Sequence, residues 1–299
     1  MQLHDPFLNF NCRIQMFELC RNSSLVLSLS QTSEATSFLL LFRGEKEGKL
    51  HIMLKEERQA YIIHQINLHN KVLSSDLSVQ LNVSEDTIRR DLNELAENGQ
   101  VLKVYGGALS KSFQFPFQEG NVYAKESKKE IAHKAIKLIQ SGMTVLVGGG
   151  TTMIELARSV PNDLQCTFFT ISPLVALELA EKDNIDVILI GGKLSRNTNI
   201  VSGAQVINEL SDLRVDLCLL GTNSLSLDEG ITDSDWEVVQ IKRAMIKCSK
   251  NLAILSIAEK LNSNQKMRVA PLRDVTYLIT DLDPKHPKLR EFAHQIEVR

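Results

Sequence analysis

Between Ser74 and Leu95 two apolar stripes at helical spacing are separated by only Asn82 and Val83. Leu77 and Leu81 lie four apart on the first. Ile88, Leu92 and Leu95 fall at i, i+4 and i+7 on the second, one face at about 100° per residue. Two residues allow only a tight turn, so the stretch is confined to a helix-turn-helix. Ser74 and Ser84 read as N-caps, and Glu85 and Asp86 suit the positive end of the second helix dipole. Upstream, Glu56 to Leu68 reads as a first helix with Ile62, Ile63 and Ile66 facing the other two. His64 and His69 near its end read as surface or capping residues and receive no role. Downstream, Gly99 stops the second helix, and Val101 to Tyr105 followed by Gly106-Gly107 reads as a two-stranded wing.

Any small helical bundle would produce the apolar stripe, so Leu77, Leu81, Ile88, Leu92 and Leu95 are assigned to the core. Opposite the stripe lie Asp86, Arg90 and Asn93, with Thr87 and Arg89 on its shoulders. A Ser/Thr N-terminus followed by two arginines is what insertion into a DNA major groove requires. Ser84, Thr87, Arg89 and Arg90 are therefore expected at double-stranded DNA, with Lys103 and Tyr105 in the wing. From Met53 to Lys111 seven Lys/Arg stand against eight Asp/Glu, so affinity has to come from a few placed cations, which two copies in a homo-oligomer would double.

From Tyr123 onward strand and helix patterns alternate. Thr144 to Val147, Thr167 to Ile171, Asp186 to Ile190, Asp216 to Leu220, Leu252 to Ile257 and Val275 to Thr280 read as buried strands. Helices are expected around Ile131 to Ile139 and over Met153 to Val160, Pro173 to Glu181 and Trp236 to Cys248. That alternation implies a mostly parallel α/β sheet, with ligands beyond the strand carboxyl ends. Gly148-Gly149-Gly150-Thr151-Thr152, placed after a strand and before a helix, offers backbone N–H groups and two hydroxyls to an anion. Thr170-Ile171-Ser172, Gly191-Gly192-Lys193 and Gly221-Thr222 end neighbouring strands similarly. The glycine stretch matches neither the Walker nor the dinucleotide spacing, so an anionic or phosphorylated small molecule is expected rather than a nucleotide cofactor or a metal.

SEDTIRRDLNEL followed by GGAL, with LKEERQ upstream, resembles the DeoR family of bacterial transcription regulators, and the likeness continues almost to the C-terminus. The resemblance implies an N-terminal winged helix-turn-helix followed by a mostly parallel α/β domain similar to sugar-phosphate isomerases. It places Ser84, Thr87, Arg89 and Arg90 on the recognition helix; Tyr105 stands where the family usually has His or Arg. It further implies a phosphorylated-sugar effector at Gly150, Thr151, Thr152, Thr170, Ser172, Gly191, Gly192, Lys242 and Lys260. Asp233 and Glu237 are additional candidates for sugar hydroxyls. In the family mechanism the effector rearranges the DNA-binding domains and usually loosens the operator. The alternative is a phosphosugar-metabolising enzyme whose N-terminal domain is a passive oligomerisation module.

The expected division is 53–109 for DNA binding, 110–120 as linker and 121–299 as sensor. In the linker Phe113, Phe115 and Phe117 are expected to dock on one of the domains. Residues 1–52 are expected to be either a mis-assigned start, since the likeness begins at Met53, or a disordered extension. Their apolar run is broken by Gln31-Thr32-Ser33-Glu34, well short of a membrane span. A net charge of -2 excludes a general polycation. Cys12, Cys20, Cys166, Cys218 and Cys248 share no metal-ligand or disulfide spacing, which suits a cytoplasmic protein with free thiols.

Overall fold

The computed structural model describes residues 53–111, 122–196 and 198–299, of which Lys55–Arg299 form one unit. The readings of residues 1–52 and of Phe113, Phe115 and Phe117 fall outside the described residues.

Helix α1 (Lys55–His69) leads through strand β1 (Lys71–Leu73) into α2 (Ser74–Leu81) and α3 (Glu85–Glu97). Strands β2 (Leu102–Val104) and β3 (Gly107–Leu109) follow. The expected apolar stripes meet: Ile62, Ile66, Leu77, Ile88, Leu92 and Leu95 are buried in one core closed by Val101 and Ala108. Ser84 caps α3, its hydroxyl accepting from the Thr87 amide at 3.2 Å. Ser74 does not cap α2. It is the first helical residue and is buried, because β1 feeds directly into the helix and leaves Leu73 at the cap position with no side-chain bond.

Strand β1 is an addition to the expected hairpin. The wing is a three-stranded antiparallel sheet in the order β1-β3-β2. Gly107 sits where β1 and β3 approach, and a Cβ there would lie 1.9 Å from the Val72 carbonyl oxygen. Under α1 and α3 the buried Asp91 carboxylate accepts from Arg58 Nε at 2.5 Å and Nη2 at 3.2 Å. That bidentate pair ties the first helix to the third.

The second half begins with α4 (Lys125–Ile136), β4 (Thr144–Val147), α5 (Thr151–Arg158), β5 (Cys166–Thr170), α6 (Pro173–Ala180) and β6 (Ile185–Leu189). A ribbon of β7 (Lys193–Leu194) and β8 (Val201–Ser202) precedes α7 (Ala204–Ser211) and β9 (Val215–Gly221). Then come β10 (Ser224–Ser226), β11 (Gly230–Asp233), α8 (Trp236–Lys247), β12 (Ser249–Leu255) and β13 (Met267–Ala270). The chain closes with β14 (Tyr277–Ile279), α9 (Arg290–Ala293) and β15 (Glu297–Val298).

Seven strands form one parallel sheet in the order β15-β14-β12-β9-β4-β5-β6, so the α/β expectation holds. Apolar side chains from its two faces belong to two separate buried clusters, as in a layered α/β fold. A small antiparallel sheet, β10-β11-β13, packs beside α8 and was not foreseen. Leu68, at the end of α1, is buried in the same cluster as Ile131 and Val145, so the first helix is anchored in the core of the α/β half. Cys166, Cys218 and Cys248 are buried free thiols. Among the described residues no helix is long and apolar enough to cross a membrane, and none of the His, Cys, Asp and Glu residues cluster as metal ligands.

Candidate functional site

At the carboxyl ends of β4, β9 and β12 lies a cavity of about 390 Å³, within the usual range for a small-molecule site. The three strands are adjacent in the sheet, and their ends supply Gly148 to Gly150, Gly221 to Asn223, and Ser256 with Ile257. Gly150 has φ +105° and is the residue before α5, a conformation that glycine adopts freely and side chains resist. Thr151 and Thr152 therefore form the first turn of α5 at the cavity wall, where helix amides are left without intrahelical acceptors. Thr198 adds a buried hydroxyl with no partner among the described residues.

Three lysines of the α/β half line the same space: Lys128, Lys242 and Lys260. Lys242, on α8, pairs with the buried Asp233 at 2.8 Å. Burial alone would raise the Asp233 carboxyl, but the Lys242 ammonium and hydrogen bonds from Asn223 and Ser234 hold it below the usual carboxylate range. Lys260 donates to the Thr222 carbonyl at 3.1 Å. Enclosure of its ammonium, then repulsion from Lys128 and Lys242, pushes it down to about 7. Burial likewise lowers Lys128 to about 8, while it donates to the Tyr123 carbonyl at 2.5 Å. Asp233 and Asp235 also line the cavity, and Glu155 and Glu259 partly offset the charges of Lys128 and Lys260; the lysines still outnumber the lining carboxylates, which favours an anion.

The cavity gathers Gly150, Thr151, Thr152, Lys242, Lys260 and Asp233 from the expected residues, and leaves out others. Thr170 donates to the Val147 carbonyl and accepts from the Ser172 amide, and Ser172 caps α6 through the Val175 amide. Their polar atoms hold the β5 turn. At Gly192 a Cβ would come within 2.6 Å of Val206, and both Gly191 and Gly192 are exposed. The cause is sheet order: β6 is the outermost strand beyond β5, whereas the cavity opens toward β9 and β12. Glu237 is also outside the cavity lining and accepts from the Ser202 hydroxyl at 3.1 Å.

Lys128 was not foreseen, since nothing in its helix pattern separates it from a surface lysine. His69, set aside as a surface or capping residue, lines the cavity with Asn67, Asn70, Lys71 and Tyr105, all from the winged helix-turn-helix. Burial, then the Lys260 charge, lowers its imidazole to about 4, against the opposing effect of its bond to the Asn223 carbonyl at 3.1 Å.

In the winged unit, α3 carries Thr87 in its first turn and exposes Arg89 and Arg90. Arg89 is held along the helix by Glu85 at 3.2 Å and Asp86 at 3.4 Å, and Arg90 forms no ion pair among the described residues. Lys103 in the wing donates to Asn93 on α3, and Tyr105 at the wing tip is fully exposed.

A winged helix-turn-helix with an arginine-bearing third helix, joined to an α/β unit with an enclosed cationic cavity, defines a DNA-binding regulator with a sensor domain. Residues 58–114 match the DeoR-like helix-turn-helix domain, and residues 124–282 match the DeoR C terminal sensor domain. The chain belongs to the DeoR family of transcription regulators. It is 33% identical to the uncharacterized HTH-type transcriptional regulator YulB of Bacillus subtilis, over 80% of this chain and 94% of that one. It is also 33% identical to the HTH-type transcriptional repressor GlcR of Bacillus subtilis, over 78% of this chain and 90% of that one. The glycerol-3-phosphate regulon repressor of Escherichia coli is 30% identical over 78% of this chain and 93% of its own. These relatives are named as regulators, which decides against the enzyme alternative.

Proposed function

We propose that this regulator represses an operon of sugar metabolism and that a phosphorylated sugar or polyol in the cavity modulates its hold on the operator. The observation that carries the reading is one cavity lined by Lys128, Lys242 and Lys260 together with the first turn of α5. The cavity lining holds more lysines than carboxylates, Asp233 and Asp235, which suits a phosphate group, and the unpartnered Thr198 hydroxyl suits a sugar hydroxyl. The Escherichia coli relative named for glycerol 3-phosphate supports the same ligand chemistry.

At the operator, Ser84, Thr87 and Arg90 with Arg89 would enter the major groove, while Lys103 and Tyr105 in the wing would lie along the backbone. The protein would act as a cytoplasmic homo-oligomer, each half-site taking one recognition helix. No cofactor enters this reading.

The test is a thermal melt of the full chain with glycerol 3-phosphate, glucose 6-phosphate and glucosamine 6-phosphate, each beside its unphosphorylated parent. A ligand at one hundred times its dissociation constant adds about 2.7 kcal/mol and raises the midpoint by several degrees. A phosphate ester that stabilises where its parent does not supports the reading. Equal shifts from ester and parent would oppose it.

A further inference from the structure

The cavity is not built by the sensor half alone, and the chemistry of the shared wall is specific. Asn70 follows α1 with φ +64°, a left-handed conformation that asparagine tolerates better than most residues. Its side-chain amide donates to Asn223 Oδ1 at 3.1 Å, and His69 Nδ1 bonds the Asn223 backbone carbonyl at 3.1 Å. Asn223 Nδ2 in turn donates to Asp233 Oδ1 at 2.9 Å, and Asp233 Oδ2 accepts from Lys242 at 2.8 Å. One residue earlier, the Thr222 carbonyl is held by Lys260 at 3.1 Å.

Asn223 is thus clamped twice from within the cavity, once through its side chain by the Asp233–Lys242 pair and once through the preceding peptide by Lys260. Both clamping lysines are the groups that an anion would engage. An ammonium that turns its donors to a phosphate has fewer left for Asp233 or for the Thr222 carbonyl, and Asn223 then loses the orientation that suits Asn70 and His69.

We propose that Asn223 is the coupling residue of this regulator, transmitting anion occupancy of the lysine cavity to His69 and Asn70 of the winged helix-turn-helix. Resting on the effector-site reading above, the inference adds its route. Leu68, buried in the sensor core, is the fixed point beside which the polar contact is made or broken. A second link, Lys266 to Asp76 at 2.8 Å, is exposed and so contributes little to the join.

Hydrogen exchange read by mass spectrometry on the full chain tests this, with inorganic phosphate as the probe and sodium chloride at matched ionic strength as the control. Peptides covering 66–73 and 220–226 report the contact. In the wild type, phosphate is expected to raise the midpoint of the melt and to speed exchange in both peptides by about fivefold, the order expected for one hydrogen bond. Asn223→Ala without phosphate is expected to exchange the 66–73 peptide at that faster rate from the start. Asn70→Gly, which keeps the left-handed conformation and removes only the amide, is expected to do the same to the 220–226 peptide.

If phosphate shifts the wild-type melt and Lys242→Met abolishes the shift, yet exchange at 66–73 is unchanged, the coupling role is overturned and the effector site stands. If phosphate leaves the wild-type melt unmoved, the effector-site reading fails and the proposed trigger goes with it. Unchanged exchange in both Asn223→Ala and Asn70→Gly overturns the coupling independently of any ligand.

Discussion

Replacing Asp91 by alanine should remove DNA binding without touching the recognition surface. Asp91 is buried and receives both Arg58 Nε and Nη2, so the guanidinium beneath α1 has its charge balanced by this one carboxylate. The hydrogen bond with Asp91 raises the Arg58 guanidinium further against its own desolvation, and a guanidinium is protonated far above neutral pH even without that bond, so the group stays charged when the partner is removed. Leaving one member of a buried pair alone costs roughly 3–5 kcal/mol. A unit the size of residues 58–114 holds only about 3–8 kcal/mol in total, so the loss is comparable with its whole stability. The assay is urea unfolding alongside fluorescence anisotropy on a duplex selected from a randomised pool by the wild-type chain. Asp91→Ala should lose the duplex while a phosphate ester still raises the melt of the remaining sensor fold. The double variant Arg58→Met with Asp91→Leu, which removes both charges and keeps the volume apolar, should regain most of the stability. Wild-type duplex affinity and unfolding in Asp91→Ala alone would refute the reasoning that this pair holds the unit together.

Arg90→Ala should lower affinity for the selected duplex by roughly 1–3 kcal/mol if its guanidinium reads a base, with a smaller loss for Arg89→Ala because Glu85 and Asp86 already engage that side chain. Anisotropy titrations of both variants decide it. Gly107→Ala should cost roughly 1–3 kcal/mol in urea unfolding, since the new methyl meets the Val72 backbone oxygen and no side chain can move aside. Keeping His69 neutral down to about pH 4 rather than 6.5 corresponds to about 3 kcal/mol of stability, present above pH 6.5 and lost as pH falls toward 4. His69→Gln should flatten that acid limb in a pH series of urea midpoints. Lys260 has the same sign at higher pH: between about 7 and 10.5 the unfolded chain binds the extra proton, so stability from this group rises with pH, and Lys260→Met should abolish the rise.

What could be read from the chain beforehand divides along a physical line. The α3 helix was legible in full because a serine cap, two acidic residues and an i, i+4, i+7 stripe are local signals that agree with one another. Strands β4, β5, β6 and β9 were legible to within a residue or two because each is a short apolar run bounded by turn residues. Their order in the sheet was not legible, and it is why Thr170, Ser172, Gly191 and Gly192, whose strands lie on the far side of β4, do not line the cavity. The strands β10, β11 and β13 carry SLS, GITD and MRVA, too short to show a period. His69 and Asn70 meet Asn223 only by the docking of the winged unit, and no spacing in the sequence joins positions more than 150 residues apart.

In the proposed regulation, one molecule in the lysine cavity and one operator compete for the state of the same chain. The direct measurement is the dissociation constant of the selected duplex with and without saturating phosphate ester, at fixed ionic strength, paired with that of the ester with and without duplex. The account predicts that the ester weakens DNA binding and that DNA weakens ester binding by the same factor, as linkage demands. An ester that stabilises the protein through Lys242 and Lys260 yet leaves the duplex affinity unchanged would contradict it.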